Sequence, residues 1–506
     1  MNPLRKQNRL GIIGSVAQCE VAVVLLSLGL FAAIEARSET VNIPYQANGV
    51  KVGEVTQTSA IVWTRLTKIS ERRNHGYVLN KDDEFEMHNA PKDAVPPKKY
   101  PEDVNLEEMH GATPGAPGEV RLTYEAKGKD GTRARTAWTP VDDVRDYTRK
   151  FRVEGLTPKT EYVYTVECRA SEDGPVGPTI DGHFRTAPAV DDPAPVLFTV
   201  VTGHKYQNRD REDGHQIFNV MRKMKPDFFV HTGDIVYMNK KWIEGGGLYG
   251  GAVARARLQW NRINGLRPQI DFYRTLPAYM MKDDHDIGPN DSHPNRDIPG
   301  FRFRTGIEVF NEQQPTGDRG YRTVRWGKDL QIWMVEGRDY RSPNDMPDGP
   351  GKTIWGAEQF DWLKRTVKAS DAAFKVLISP TPLVGPDRNS KGDNHANSNF
   401  AYEGKMVRQW IHDEAPELFV VCGDRHWQYV SVHPETGVRE YSCGSTTDKH
   451  AGGWSRGFIE EYHRYLNVIG GFLAVTVERV DGKPNIVFRH HDVEGRTRYV
   501  ERHVRD

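Results

Sequence analysis

From Gly49 onward, apolar and polar positions alternate in short runs: Val50, Val52 and Val55, then Ser59-Ala60-Ile61-Val62-Trp63-Thr64. A period of two, broken every few residues by turn formers, predicts a β-sandwich. Residues 81–118 are rich in Pro, Lys and acids and have no clear period, which predicts a long surface insertion. Alternation resumes at Val120-Arg121-Leu122-Thr123-Tyr124 and near Phe151. A Leu156-Thr157-Pro158 turn then feeds the strand pattern Glu161-Tyr162-Val163-Tyr164-Thr165-Val166, and residues 182–188 read as a closing strand. Residues 187–195, rich in Pro and Asp, form the predicted linker.

Beyond the linker the pattern changes to continuous apolar runs, as expected of strands buried on both faces. Val196-Leu197-Phe198-Thr199-Val200-Val201 is followed by helical spacing over residues 217–224 and then by Phe228-Phe229-Val230. This strand–helix–strand order predicts a βαβ unit and a sheet that is at least partly parallel. Residues 330–335, 374–379 and 418–422 repeat the apolar pattern.

The chemistry lies just past these strands, where open α/β sheets place their ligands. Gly233-Asp234 ends one run, with Tyr237 three residues on; Asp283-Asp284-His285-Asp286 ends another, before Gly288-Pro289-Asn290; Gly423-Asp424-Arg425-His426 ends a third. Acids this dense repel one another unless a cation or an Arg neutralises them. A His among them adds the proton donor that metal-assisted hydrolysis needs. Asp234, Tyr237, Asp284, Asp424 and His426 are therefore candidate metal ligands and His285 a candidate acid, with Asp283 and Asn290 in reserve. Arg338, after the 330–335 run, can clamp a phosphate or pair with the local acids, and His395, in the polar loop 387–399, can reach the pocket or lie at the surface. Metal-assisted hydrolysis requires no Ser or Cys nucleophile.

Composition narrows this reading. Sixty-nine Lys+Arg balance 69 Asp+Glu over 506 residues, so no general field attracts nucleic acid or acidic lipid. Arg5, Lys6 and Arg9 precede an apolar run over residues 21–34, the form of a secretory signal, here taken as residues 1–36. The run is short for a membrane span, although an uncleaved anchor is an alternative. Export to the periplasm, the cell surface or the medium follows. Without Cys19 in that leader, Cys168, Cys422 and Cys443 remain, an odd number. Cys422 and Cys443 either pair or stay as buried thiols.

The Leu-Thr-Pro corner and its Tyr-x-Tyr strand resemble a fibronectin type III-like module. Gly233-Asp234-x-x-Tyr237, Asp283-Asp284-His285-Asp286, Arg338 with Tyr340-Arg341, Trp355-Gly356-x-Glu358-Gln359 and Gly423-Asp424-x-His426 together resemble the PhoD-like alkaline phosphatases of the calcineurin-like metallophosphoesterase superfamily. The resemblance implies an N-terminal β-sandwich over residues 45–188 and a four-layer α-β-β-α metallophosphatase domain over residues 196–506. It implies a monomeric hydrolase of phosphoric mono- or diesters, with calcium and ferric iron as cofactors and a metal-bound hydroxide as nucleophile. Asp234 would bridge two ions and Tyr237 would hold iron. Asp284 and His285 stand where the superfamily has an Asn ligand and its catalytic His, Asp424 stands in place of a His, and His426 closes the site. The family's Ser-Cys-Gln is here Thr202-Gly203-His204, so an iron-binding thiolate is missing. Either His204, Asp210 or Asp213 compensates, or the iron site is altered. Hydrolysis of a sulfate ester, a phospholipid or a cell-wall polymer, or metal binding without catalysis, are the alternatives.

Overall fold

A computed structural model describes residues 42–77, 105–238 and 251–505; the predicted leader lies outside them. The chain forms an N-terminal sheet domain and a larger metallophosphatase-like α/β domain. The second domain is built on two facing sheets. One contains Val196–Val201, Phe228–His231 and Ala278–Met280 in parallel, extended on one side by the antiparallel strands Phe472–Val480, Lys483–His491 and Thr497–Val504. The other runs Arg322–Trp326, Leu330–Met334, Phe374–Ser379, Leu418–Cys422, Arg439–Cys443, Gln428–Val432, His463–Asn467.

Side-chain alternation explains why the strands read as unbroken apolar runs. Phe228 and Val230 face the core between the sheets, with Val200, Ile332, Val376, Ile378 and Val421. Phe229 and Val201 point the other way, under the helices Ile217–Met224 and Arg267–Tyr273. On the far side, Trp333, Leu377 and Val420 pack beneath Ala357–Ala369 and Ala401–Glu414. Four layers result, α-β-β-α.

The N-terminal sandwich packs Val50, Val52, Val62 and Phe151 against Leu122, Tyr164 and Val166. Its strand Val50–Gly53 also joins the larger domain: Gly53 pairs in parallel with Ala278, so one nine-stranded sheet runs through both regions. A single parallel step between residues 225 apart carries no local pattern, and the sequence gives no sign of it. The stretch predicted as a surface insertion is corrected at its end. Met109, His110, Ala112, Thr113 and Ala116 are buried, and Arg65 donates to the Thr113 carbonyl at 2.7 Å. Cys168, Cys422 and Cys443 are all free and buried.

Candidate metal centre

Gly233 makes the first turn possible. Its φ is +115°, and a Cβ there would lie 2.6 Å from the Asp283 Cβ. Asp234 follows at φ +57°, and Asp424, after Gly423, at φ +62°. Two non-glycine residues at positive φ, one at a strand end of each sheet, cost of order 1–3 kcal/mol apiece and persist only where the surroundings over-determine them. Asp286 provides that restraint. Its Oδ2 accepts from the backbone N–H of Asp234 (2.7 Å) and Asp283 (2.8 Å), and its Oδ1 from those of Ile235 (2.7 Å) and Val236 (3.1 Å). One carboxylate thus ties the 233–237 turn to the 283–286 turn. The sequence showed Asp286 in a dense acidic run but not this role.

Asp234, Asp283 and Asp424 each bring an oxygen within 4.8 Å of the others. Asp234 Oδ1 and Asp283 Oδ2 are buried and bonded to no protein group. Burial, reinforced by Asp284 and Asp424, pushes Asp234 up to about 7. Burial also pushes Asp283 well above the usual carboxylate range, against the pull of Arg338. Asp284 goes the other way: burial is outweighed by Arg338, His285 and two backbone N–H groups, which hold it low. A cluster of acids with unspent oxygens fits a cation.

Around this cluster the predicted residues converge. Tyr237 Oη donates to Asp234 Oδ2 at 3.0 Å and lies 3.2 Å from His426 Nε2. Its ring stands 4.5 Å from that of His285, whose Nδ1 is buried and unbonded. A cavity of 180 Å³ opens here, bounded by Asp234, Asp284, His285, Asn290, Asp424 and His426. Its remaining wall carries Arg388, Lys391 and Arg425, of which Arg388 and Lys391 lie outside the strand-end motifs. Arg425 is committed to Asp387 (2.5 Å), Asp393 (2.7 Å) and Asp424 (2.7 Å). Arg388 and Lys391 retain side-chain exposures of 29% and 27%, enough to meet a ligand.

Four expectations are corrected, or decided where they stood open. Arg338 does not line this cavity; it is 1% exposed, donates to Asp283 Oδ1 at 2.6 Å, and stays 3.8 Å from Asp284 Oδ2. Its charge is spent on the ligand carboxylates rather than on a phosphate. His204 does not enter the gap left by the thiolate. Its side chain turns toward the helices, with Nε2 at 3.1 Å from His215 and 2.8 Å from Gln269. Asp210 and Asp213 border a different cavity. His395 pairs with Glu403 at 2.9 Å, with its ring against Trp355.

Carboxylates, imidazoles and a phenol gathered at the strand ends of a four-layer sandwich define a metallophosphoesterase-type site. Residues 198–464 match the PhoD-like phosphatase family and residues 33–188 match the PhoD-like phosphatase N-terminal domain, so the chain belongs to the PhoD-like phosphatases, hydrolases of phosphoric esters. A solved structure described as PhoD is similar over 92% of this chain and 90% of its own, with 16% identity and a TM-score of 0.66. The purple acid phosphatase PPD1 from yellow lupin (Lupinus luteus) seeds is similar over 90% of this chain and 73% of its own, with 11% identity and a TM-score of 0.58. No curated protein sequence matches. Among the described residues no helix is long and apolar enough to cross a membrane.

Proposed function

We propose that this protein hydrolyses phosphoric esters with metal ions held by Asp234, Tyr237, Asp284, Asp424 and His426, with Asp283 beside them. The observation that carries the reading is the pair of buried, unbonded oxygens on Asp234 and Asp283, the first of these residues lining a cavity that also carries Arg388, Lys391 and Arg425. The carboxylates suit a hard ion such as calcium, and the phenolate with an imidazole suits iron. Ions bound there supply Lewis-acid charge and acidify water.

The chain's own residues do the rest. Arg388 and Lys391 draw the phosphate into the cavity and orient its oxygens. His285, its ring tilted against that of Tyr237, holds a proton in reach of the leaving oxygen. Asp286 and Arg338 keep the ligand carboxylates in place, so little rearrangement is needed during reaction. The N-terminal pattern supports export of the enzyme, which works as a monomer in this reading.

Turnover of p-nitrophenyl phosphate and bis-p-nitrophenyl phosphate, with elemental analysis before and after chelation, tests the proposal. Chelation is expected to abolish turnover, and Asp234→Asn to reduce kcat/KM by about 10³-fold or more. Turnover that survives both metal stripping and Asp234→Asn would overturn it.

A further inference from the structure

His450 lies outside all three strand-end motifs, on the loop after Arg439–Cys443, yet its ring stands 4.0 Å from that of His426 and 5.0 Å from that of Tyr237. Its Nδ1 is 3.1 Å from the Gly203 carbonyl. A carbonyl can only accept, so Nδ1 carries the hydrogen and Nε2 keeps its lone pair. Backbone carbonyls orient metal-binding imidazoles in this way, fixing the tautomer through the other ring nitrogen. The same carbonyl also accepts from Thr446 Oγ1 at 3.0 Å, which anchors the loop that carries His450.

Gly203 makes this packing possible. A Cβ there would lie 2.9 Å from His426 Cδ2 and 3.0 Å from its Nε2. The space any side chain at residue 203 would fill is taken by the His426 ring, with His450 beside it. His426 Nε2 in turn lies 3.7 Å from Asp234 Oδ2 and 3.2 Å from Tyr237 Oη. His450 thus packs on His426 and Tyr237, two of the candidate ligands, and is the one of the three without an assigned task.

We propose that His450 is a metal ligand through Nε2, completing with Asp234, Tyr237 and His426 a set of two imidazoles, one carboxylate and one phenolate. Two imidazoles with two oxygen donors suit a first-row transition ion without any thiolate. The carboxylates of Asp283, Asp284 and Asp424 remain for a harder ion. This assignment rests on the metal dependence proposed above.

The test uses the full-length protein, wild type and His450→Ala, each stripped and loaded with copper(II), which imidazole sites bind tightly. Pulsed EPR counts coordinated imidazole nitrogens, and chelator competition gives affinity. The expected result is one imidazole fewer in the variant and affinity lower by at least about tenfold. An imidazole retained only for packing on His426 would leave the nitrogen count unchanged, and that result overturns the assignment while the metal-dependent function stands. A wild-type protein that binds no metal overturns both. His450→Gln, which keeps volume and polarity, replaces the alanine variant should that one fail to fold; the same loss of one nitrogen is expected.

Discussion

Two buried polar clusters of the molecule are finished differently. Where the sandwich meets the larger domain, all three nitrogens of Arg65 are bonded, to Asp146, Asn48 and Thr113. Both Asp146 oxygens are bonded as well, Oδ2 also accepting from Asn261 (3.0 Å) and Gln313 (2.8 Å). Beside it the buried Lys51 ammonium donates to Asn264, the Gln313 carbonyl and Gln314. At the strand ends, by contrast, Asp234 Oδ1, Asp283 Oδ2 and His285 Nδ1 are buried and unbonded. In the first cluster every charged group is paired within the protein, and only neutral amide atoms of Asn261, Asn264 and Gln313 are left unbonded. The second is complete only with something added, which separates a structural junction from a binding site.

The largest effect that tests this contrast comes from acid. His215, His231 and His490 are buried with no counter-charge, and burial pushes each down to about 3. In the unfolded chain they take up protons near pH 6.5. Below that pH the unfolded state binds more protons, so stability is whole above about 6.5 and falls as pH drops toward about 3. The loss is about 1.4 kcal/mol per pH unit for each histidine, or roughly 6 kcal/mol for the three at pH 5. Urea unfolding of metal-free protein between pH 8 and pH 5 reads this directly. His490→Asn, outside the cavity lining, should lower the slope by about 1.4 kcal/mol per pH unit. A flat profile would show that these imidazoles titrate normally.

Next in size is the contrast itself. Asp146→Asn leaves Arg65 as an uncompensated buried charge and is expected to cost about 3–5 kcal/mol in urea unfolding. The metal content of the folded protein should not change. Asp234→Asn should do the reverse, losing metal while the metal-free protein unfolds no earlier than metal-free wild type, because it removes an acid whose burial outweighs its internal partners. If Asp146→Asn released metal, or Asp234→Asn destabilised the apo-protein strongly, the two clusters would not be separable.

How much of this was legible in the sequence follows from distance along the chain. Gly233-Asp234, Asp283-Asp284-His285 and Gly423-Asp424-x-His426 stand out because each pairs an apolar strand with a turn and donors within a few residues. The same runs predict a partly parallel sheet, while the four layers are implied only by the family resemblance. Arg388, Lys391 and His450 sit on loops without periodicity, and only the approach of the 385–397 and 444–452 segments to the strand ends gives them a role. Arg338 failed in a different way. An Arg after a strand suits a phosphate clamp and a carboxylate partner equally, and the choice rests on the 2.6 Å contact with Asp283. His204 was misassigned because the sequence does not tell which way a side chain points after a positive-φ glycine.

The smallest predicted effects concern the cationic wall, and they decide whether the cavity is a phosphate site or only a metal site. Lys391 shares its charge with Asp393 at 3.1 Å, while Arg388 sits over the Trp427 ring at 5.4 Å, 3.5 Å from Asp387. Each is partly exposed, so solvent screens what it contributes. Arg388→Ala should lower kcat/KM about tenfold, mostly through KM, and Lys391→Ala by a few-fold, both effects shrinking as salt rises. Metal content should stay at the wild-type level in both, because neither side chain is a donor. Equal kinetics in wild type and both variants at low salt would place substrate binding elsewhere. The carboxylate cluster would then be a metal centre without its phosphate-facing wall.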